Sequence, residues 1–324
     1  VSASGQEAKG TINLSGEKEY TFDEMINYKE GDRGFKVKAE DTYGYITIST
    51  LPVTYKTIPG PSLTLTESTI FAGTDVKKGV SMQIESVRGV HEVVIYRIEN
   101  GSEVEALRET RSGEHTLNYA PEIDFTEATS KLKVVVSDGR EGKEATGYVK
   151  AYVNMDVATL NVGSQPLANN AHEKYPDAFG MVSLNDLKTY SVDYAIANEA
   201  NAKNIDFKFY CFGAAGSPRL YSMDNTGKDG EFSGSTGKLS AIKVKNLTRF
   251  AILSNFDYEN ATVASISSEI LSSSIAQSLL DPIAVGNVIA FRTGGSSAAG
   301  GGRIGVMKVI NITEPKELVS NNAT

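Results

Sequence analysis

The side chains that could do chemistry in this sequence are few and scattered. There is one cysteine, Cys211, and the three histidines are His91, His115 and His172. A single cysteine has no partner for an intrachain disulfide, a CxxC redox pair or a structural zinc site. The histidines show neither HExxH nor HxH spacing. No G-x-S-x-G elbow marks an activated serine. Cys211 falls mid-strand on an apolar face, so it reads as a core residue and not as a thiolate nucleophile. His172, in Asn169-Asn-Ala-His-Glu-Lys-Tyr, reads as a surface loop residue. The glycine-rich stretch Gly294–Arg303 could offer a nest of backbone N–H groups to an anion. A phosphate loop, however, needs G-x-x-x-x-G-K-[ST] between a strand and a helix. That stretch has no lysine and a strand follows it. At Gly237-Lys238 the first glycine position holds Phe232 and the residue after the lysine is Leu239. Both stretches read as flexible hairpin loops.

Carboxylates and tyrosines remain. Asn225, Gly227, Asp229 and Gly230 partly mimic a calcium loop, but Thr236 stands where the twelfth-position glutamate belongs, and a polar turn is expected. Asp41, Asp138 and Asp156, near the module ends, read as turn caps and not as calcium ligands. No metal and no cofactor are expected. Glycoside hydrolysis needs two carboxylates about 5–10 Å apart. Glu122 with Asp124, or Asp186 with Asp193, would be such pairs, yet among 40 acids chance pairs are inevitable. An enzyme is the reading the residues support least. Tyr175, Tyr190, Tyr194, Tyr210 and Tyr221 crowd one region. Tyr194 and Tyr221, if exposed beside Asp186, Asn225 or Arg219, would stack on a sugar ring while the polar groups hydrogen-bond it. The competing reading packs these rings into a sandwich with their hydroxyls at its edge. Both stay open at this level.

The elements that must position these residues follow from the rest of the chain. Its 324 residues predict two or three domains. The net charge of -8 comes without any block of like charge, so no nucleic-acid partner is expected. No apolar run reaches the 18 residues of a transmembrane helix. The chain opens at Val1 without a signal-like segment, which implies a removed targeting segment or a start inside a longer protein, with a lipid anchor upstream as one option.

An internal repeat organises the first half. At an offset of 97 residues, Ser15-Gly16-Glu17 falls on Ser112-Gly113-Glu114 and Phe35-Lys36-Val37 on Leu132-Lys133-Val134, with Asp41 on Asp138. That period fits one immunoglobulin-like sandwich. Residues 60–153 carry about seven short alternating strands, with Asn100-Gly101 as a hairpin turn. Residues 1–55 hold only the later strands of such a module. Pro52, Pro59 and Pro61 mark a stiff linker between the two. In residues 156–320, strands are predicted at Ala178–Leu184, Ile205–Phe212, Leu239–Lys245, Thr248–Leu253, Val288–Arg292 and Arg303–Ile312. A short helix is predicted from Ser191 as N-cap, and another on Ile266, Ile270, Leu271, Ile275 and Leu279.

The strand endings Phe-Lys-Val-Lys-Ala-Glu-Asp-Thr-Tyr-Gly (35–44) and Leu-Lys-Val-Val-Val-Ser-Asp-Gly (132–139) resemble the closing hairpin of bacterial extracellular immunoglobulin-like repeats. Ser191-Val-Asp-Tyr-Ala, Asn204-Ile-Asp-Phe, Val285-Gly-Asn-Val-Ile-Ala-Phe-Arg-Thr and Gly305-Val-Met-Lys-Val-Ile-Asn-Ile are similar to domains of secreted and surface lipoproteins of Bacteroidetes. The resemblance implies an extracellular place at the bacterial outer-membrane surface, often beside glycan-uptake machinery. It carries no functional residue with it.

The expected fold is all-β: tandem immunoglobulin-like sandwiches followed by a jelly-roll-like sandwich with one or two short helices. The expected function is a non-catalytic surface binding or adhesion protein, with the last domain as its recognition unit and a glycan or surface protein as partner. A glycan-binding accessory protein and, last, a glycan-active enzyme are the alternatives.

Overall fold

A computed structural model describes residues 11–21, 34–53, 57–165, 175–211, 217–272 and 274–312. The protein is an all-β chain with three short α-helices among the described residues. The first strands, β1 (Gly34–Glu40) and β2 (Ile46–Pro52), form an antiparallel hairpin pairing Phe35 with Leu51 and Val37 with Ser49. Asp41 closes its turn by accepting the backbone N–H of Tyr43 and of Tyr45, both at 2.9 Å.

A two-sheet sandwich follows. It runs through β3 (Ser62–Leu65), β4 (Thr69–Ala72), β5 (Lys78–Gly79), β6 (Met82–Glu85), β7 (Glu92–Glu99) and β8 (Ser102–Thr110). It continues through β9 (Thr116–Tyr119), β10 (Glu122–Ile123), β11 (Thr129–Ser137) and β12 (Glu144–Val153). One sheet has the order β4-β12-β11-β7-β8 and the other β3-β6-β9, with β5 and β10 paired beside them. Period-two alternation drives this packing. Leu132, Val134 and Val136 of β11 and Val149, Ala151 and Val153 of β12 are buried against Met82 and Ile84 of β6. Asn100 and Gly101 both take positive φ, 51° and 83°, which is the two-residue hairpin geometry their types favour. Gly147 lets the two sheets close: a Cβ there would sit 2.7 Å from Leu65 Cδ1.

The β1–β2 hairpin is the counterpart of β11–β12. Phe35 and Leu132 hold equivalent places in the repeat; Phe35 lies opposite Leu51 and Leu132 opposite Val149, so the second hairpin is one residue longer than the offset of 97 alone would make it. The second pair is buried, whereas Leu51 is 63% exposed, because among the described residues no second sheet faces the first hairpin.

The C-terminal part contains β13 (Met181–Ser183), β14 (Lys188–Tyr190), α1 (Val192–Ala197), α2 (Glu199–Lys203), β15 (Phe207–Tyr210) and β16 (Arg219–Ser222). It ends with β17 (Arg249–Leu253), α3 (Val263–Ser272), β18 (Leu279–Leu280), β19 (Val288–Arg292) and β20 (Ile304–Lys308). A five-stranded sheet, β14-β13-β15-β16-β18, packs on a three-stranded one, β17-β19-β20. Between them lie Val182, Phe207, Leu220, Phe250, Ile289 and Phe291. Each sheet is also covered on its outer face. Ile266 and Ile270 of α3 pack on Leu253, Val288 and Ala290. The helices α1 and α2, with Phe232, Leu239 and Ile242 from the loops after β16, cover Met181, Tyr210 and Tyr221.

Three local expectations need correction. Leu239–Lys245 is not a strand: a single 3-10 turn, Leu239–Ala241, drops Leu239 and Ile242 into the core at a three-residue spacing that a strand cannot supply. The predicted helix on Ile266 ends at Ser272, and Leu279 belongs to β18, where Tyr221 is its partner. The loop Gly294–Gly302 does join β19 to β20, but it is pinned down. Ser296 Oγ donates to Asn246 Oδ1 at 2.8 Å, Ser297 Oγ to Asp206 Oδ1 at 2.6 Å, and the Ala298 N–H to the Lys203 carbonyl at 2.8 Å.

Candidate functional site

The five residues singled out from sequence separate into two groups. Asp186, exposed on the turn between β13 and β14, and Tyr194, on α1 and half-buried against the core, come together. Ser191 caps α1 as expected, its Oγ accepting the Tyr194 N–H at 3.2 Å, and this fixes where the Tyr194 ring starts from. Tyr190, the last residue of β14, stacks on Tyr194 with ring centroids 4.1 Å apart and an interplanar angle of 18°. Asp186 Oδ2 accepts the Tyr190 hydroxyl and Asn204 Nδ2, each at 2.5 Å, and its Oδ1 accepts Asn185 Nδ2 at 2.9 Å. Asn204 Nδ2 also reaches the Tyr194 hydroxyl at 3.2 Å.

The electrostatics of this cluster follow from those bonds. The Tyr190 hydroxyl and the Asn204 amide favour the charged form of Asp186 and hold its carboxyl below the usual range. Burial and the adjacent carboxylate push the Tyr190 hydroxyl up to about 12. At neutral pH the cluster therefore presents a fixed carboxylate, amides and the protonated Tyr190 phenol. A carboxylate offers about four acceptor positions, and three hydrogen bonds occupy Asp186. Asp186 and Asp193 do not work as a pair. Asp193 turns away to accept hydrogen bonds from the backbone and hydroxyls of Ser235 and Thr236, which hold its carboxyl far below the ordinary value.

Arg219, Tyr221 and Asn225 belong to the second group, along β16 and the turn after it. Tyr221 is buried under the covering loops, edge-on to Tyr210 at 6.2 Å. Arg219 forms an ion pair with Asp281, Nε to Oδ2 2.9 Å, off hydrogen-bond alignment at Nε. Asn225 acts as a turn residue: Oδ1 accepts the Gly227 N–H and Nδ2 donates to Ser278 Oγ, both at 3.1 Å. Tyr221 and Asn225 instead surround Lys208, a residue that no motif singles out. Its side chain has no exposed surface. Its Nζ lies 2.6 Å from Asp229 Oδ1 and 2.8 Å from the Asn225 carbonyl, and 5.4 Å from the centre of the Tyr221 ring. Burial pulls its ammonium below the ordinary lysine value. Lys245 Nζ approaches the other oxygen of Asp229 at 3.1 Å. Period-two alternation places Lys208 opposite Phe207 and Phe209, on a face that looks solvent-facing until the covering layer is known.

The remaining candidates are placed as follows. Cys211 is buried, and desolvation pushes its thiol up. Asp138 pairs with Arg140, and Asp156 with Arg303 at 2.7 Å. His172 lies outside the described residues.

A groove of about 990 Å³ opens where the first sandwich meets the C-terminal part. Tyr152, Met155, Leu160, Tyr258, Val306 and Met307 are among the residues that line it, with Phe207 and Phe209 at the inter-sheet core. β20 is the edge strand of its sheet, and all five of its residues are half-buried, because no further strand follows it among the described residues. The ion pairs Asp156–Arg303 and Glu259–Lys308 stand beside it, each at 2.7 Å. No protein-family profile matches the chain, and no curated protein matches it.

Proposed function

We propose that this is a non-catalytic binding protein of the bacterial cell surface, in which the C-terminal part is the recognition unit and the sandwich before it a spacer. The observation that carries this reading is the Asp186–Tyr190–Tyr194–Asn204 cluster. Two half-buried aromatic rings, packed on the core, and an exposed carboxylate are held together before any ligand arrives, and a polar ring-shaped ligand such as a sugar uses that combination of stacking and hydrogen bonding. The groove beside β20 favours a second reading, an elongated apolar ligand, because its walls are mostly aliphatic and aromatic.

Affinity electrophoresis of the full chain through a panel of polysaccharides tests the first reading. Retardation by one glycan, lost in Tyr194→Ala and in Asp186→Ala but kept in Val306→Arg, supports it. Mobility unchanged by every glycan sinks it for that panel. A glycan signal lost in Val306→Arg but kept in Tyr194→Ala moves the ligand to the groove.

A further inference from the structure

We propose that Lys208 and Asp229 join in an intramolecular isopeptide bond, cross-linking β15 to the 3-10 turn Asp229–Glu231. The proposal does not depend on the ligand reading above. It rests on a lysine and an aspartate held in direct contact, Nζ to Oδ1 2.6 Å, with side chains 0% and 5% exposed. Such contact between two buried side chains supplies the proximity that intermolecular amide formation lacks. Burial also disfavours the separated charges, since a charged pair out of water keeps a desolvation penalty that a neutral amide does not.

The step balances without a further reagent. A proton passes from the Lys208 ammonium to the Asp229 carboxylate across their hydrogen bond, leaving an amine and an acid. The nitrogen lone pair then attacks Asp229 Cγ. The second nitrogen proton moves to the hydroxyl oxygen, the C–O bond breaks, and one water leaves. Lys245 Nζ, 3.1 Å from Oδ2, is placed to stabilise the negative charge that develops on oxygen during the attack. Burial pulling the Lys208 ammonium below its usual value assists the first transfer.

The surroundings match what the product needs. An isopeptide amide has one N–H to donate and one carbonyl to satisfy. The Asn225 carbonyl already accepts from Lys208 Nζ at 2.8 Å, and Lys245 already faces the Asp229 carboxylate. Both partners would keep their hydrogen bonds after the bond forms, so no buried polar group is orphaned.

The test is the intact mass of the folded full chain, followed by peptide mapping. The expected mass is one water below that of the sequence, with a branched peptide joining the segments around Lys208 and Asp229. Lys208→Arg and Asp229→Asn are each expected at their full sequence mass. Wild-type protein at full sequence mass overturns the proposal. So does a water loss that persists in Lys208→Arg, or one that maps to a cyclic imide at Asp229-Gly230. The wild-type peptide map decides the matter even if a variant fails to fold.

Discussion

Gly305 is where a single methyl group should cost most within the C-terminal sheets. It lies directly opposite Phe291 across the β19–β20 pair. A Cβ added at Gly305 would sit 2.3 Å from Phe291 Cζ, 2.8 Å from Cε1 and 3.1 Å from Cε2. The ring therefore lies over the glycine, and Phe291 is itself part of the inter-sheet core. Gly305→Ala forces the ring to move within packed surroundings, an overpacking cost of about 1–3 kcal/mol. Alanine also narrows the unfolded ensemble, which offsets about 0.4–1 kcal/mol. The net loss is about 1–2 kcal/mol, or roughly 2–8 °C in Tm for a unit of this size. Scanning calorimetry of the full chain reads it, with Gly295→Ala as control, because nothing lies within 4 Å of a Cβ there. Phe291→Leu in the Gly305→Ala background should recover part of the loss, since the shortened side chain vacates the contested space. If Gly305→Ala melts with or above Gly295→Ala, the ring-on-glycine account is wrong.

Three further outcomes follow from the same structure. Ser191→Ala removes the α1 cap and should cost about 1 kcal/mol, and if the tyrosine cluster is the binding seat, weaker glycan retardation should accompany it. Gly89→Ala should be strongly destabilising by urea titration, because φ is +90° and the new Cβ would lie 2.3 Å from the Gly113 carbonyl oxygen, backbone that cannot step aside. Asp206 tests linkage. Desolvation raises its folded pKa above the ordinary 3.8, so its contribution is full below that value and is lost as pH rises through the raised one. Asp206→Asn can keep both hydrogen bonds, to the Leu184 N–H and to Ser297, and should therefore raise the urea midpoint at pH 7 but not at pH 3.5. An equal midpoint change at both values refutes the assignment.

Alternation and turn chemistry made much of the fold legible. Most strands of the complete sandwich, the Asn100-Gly101 turn, the Ser191 cap and the final β19–β20 hairpin follow from local residue pattern, whereas β4, β5 and β10, of four, two and two residues, are too short to show an alternation and are not expected from it. What stayed hidden depends on layers. Lys208 and Tyr221 alternate with apolar neighbours in a way that suits a half-exposed sheet, and only the covering layer of α1, Phe232 and Leu239 turns that face inward. Leu239 and Ile242 look strand-like because they are apolar, yet a 3-10 turn buries both. The candidate site was half legible. Asp186 and Tyr194 meet, but Asn204, which ties them together, is a helix-end residue with nothing in its local pattern to single it out. Arg219, Tyr221 and Asn225 were near one another in sequence, and the fold spends them on an ion pair, a buried ring and a turn.

The parallel pairing of β4 with β12 sets how the sandwich would bear load. The residues Thr69–Ala72 near the start of the module lie beside Lys150–Val153 at its end, in register and pointing the same way. Tension applied at the two ends pulls these strands past each other along their own axes. Their hydrogen bonds must then give way together, in shear, and not one after another as in an opening hairpin. A module wired in this way behaves as a stiff link, and its stiffness resides in a short stretch of backbone pairing independent of any ligand.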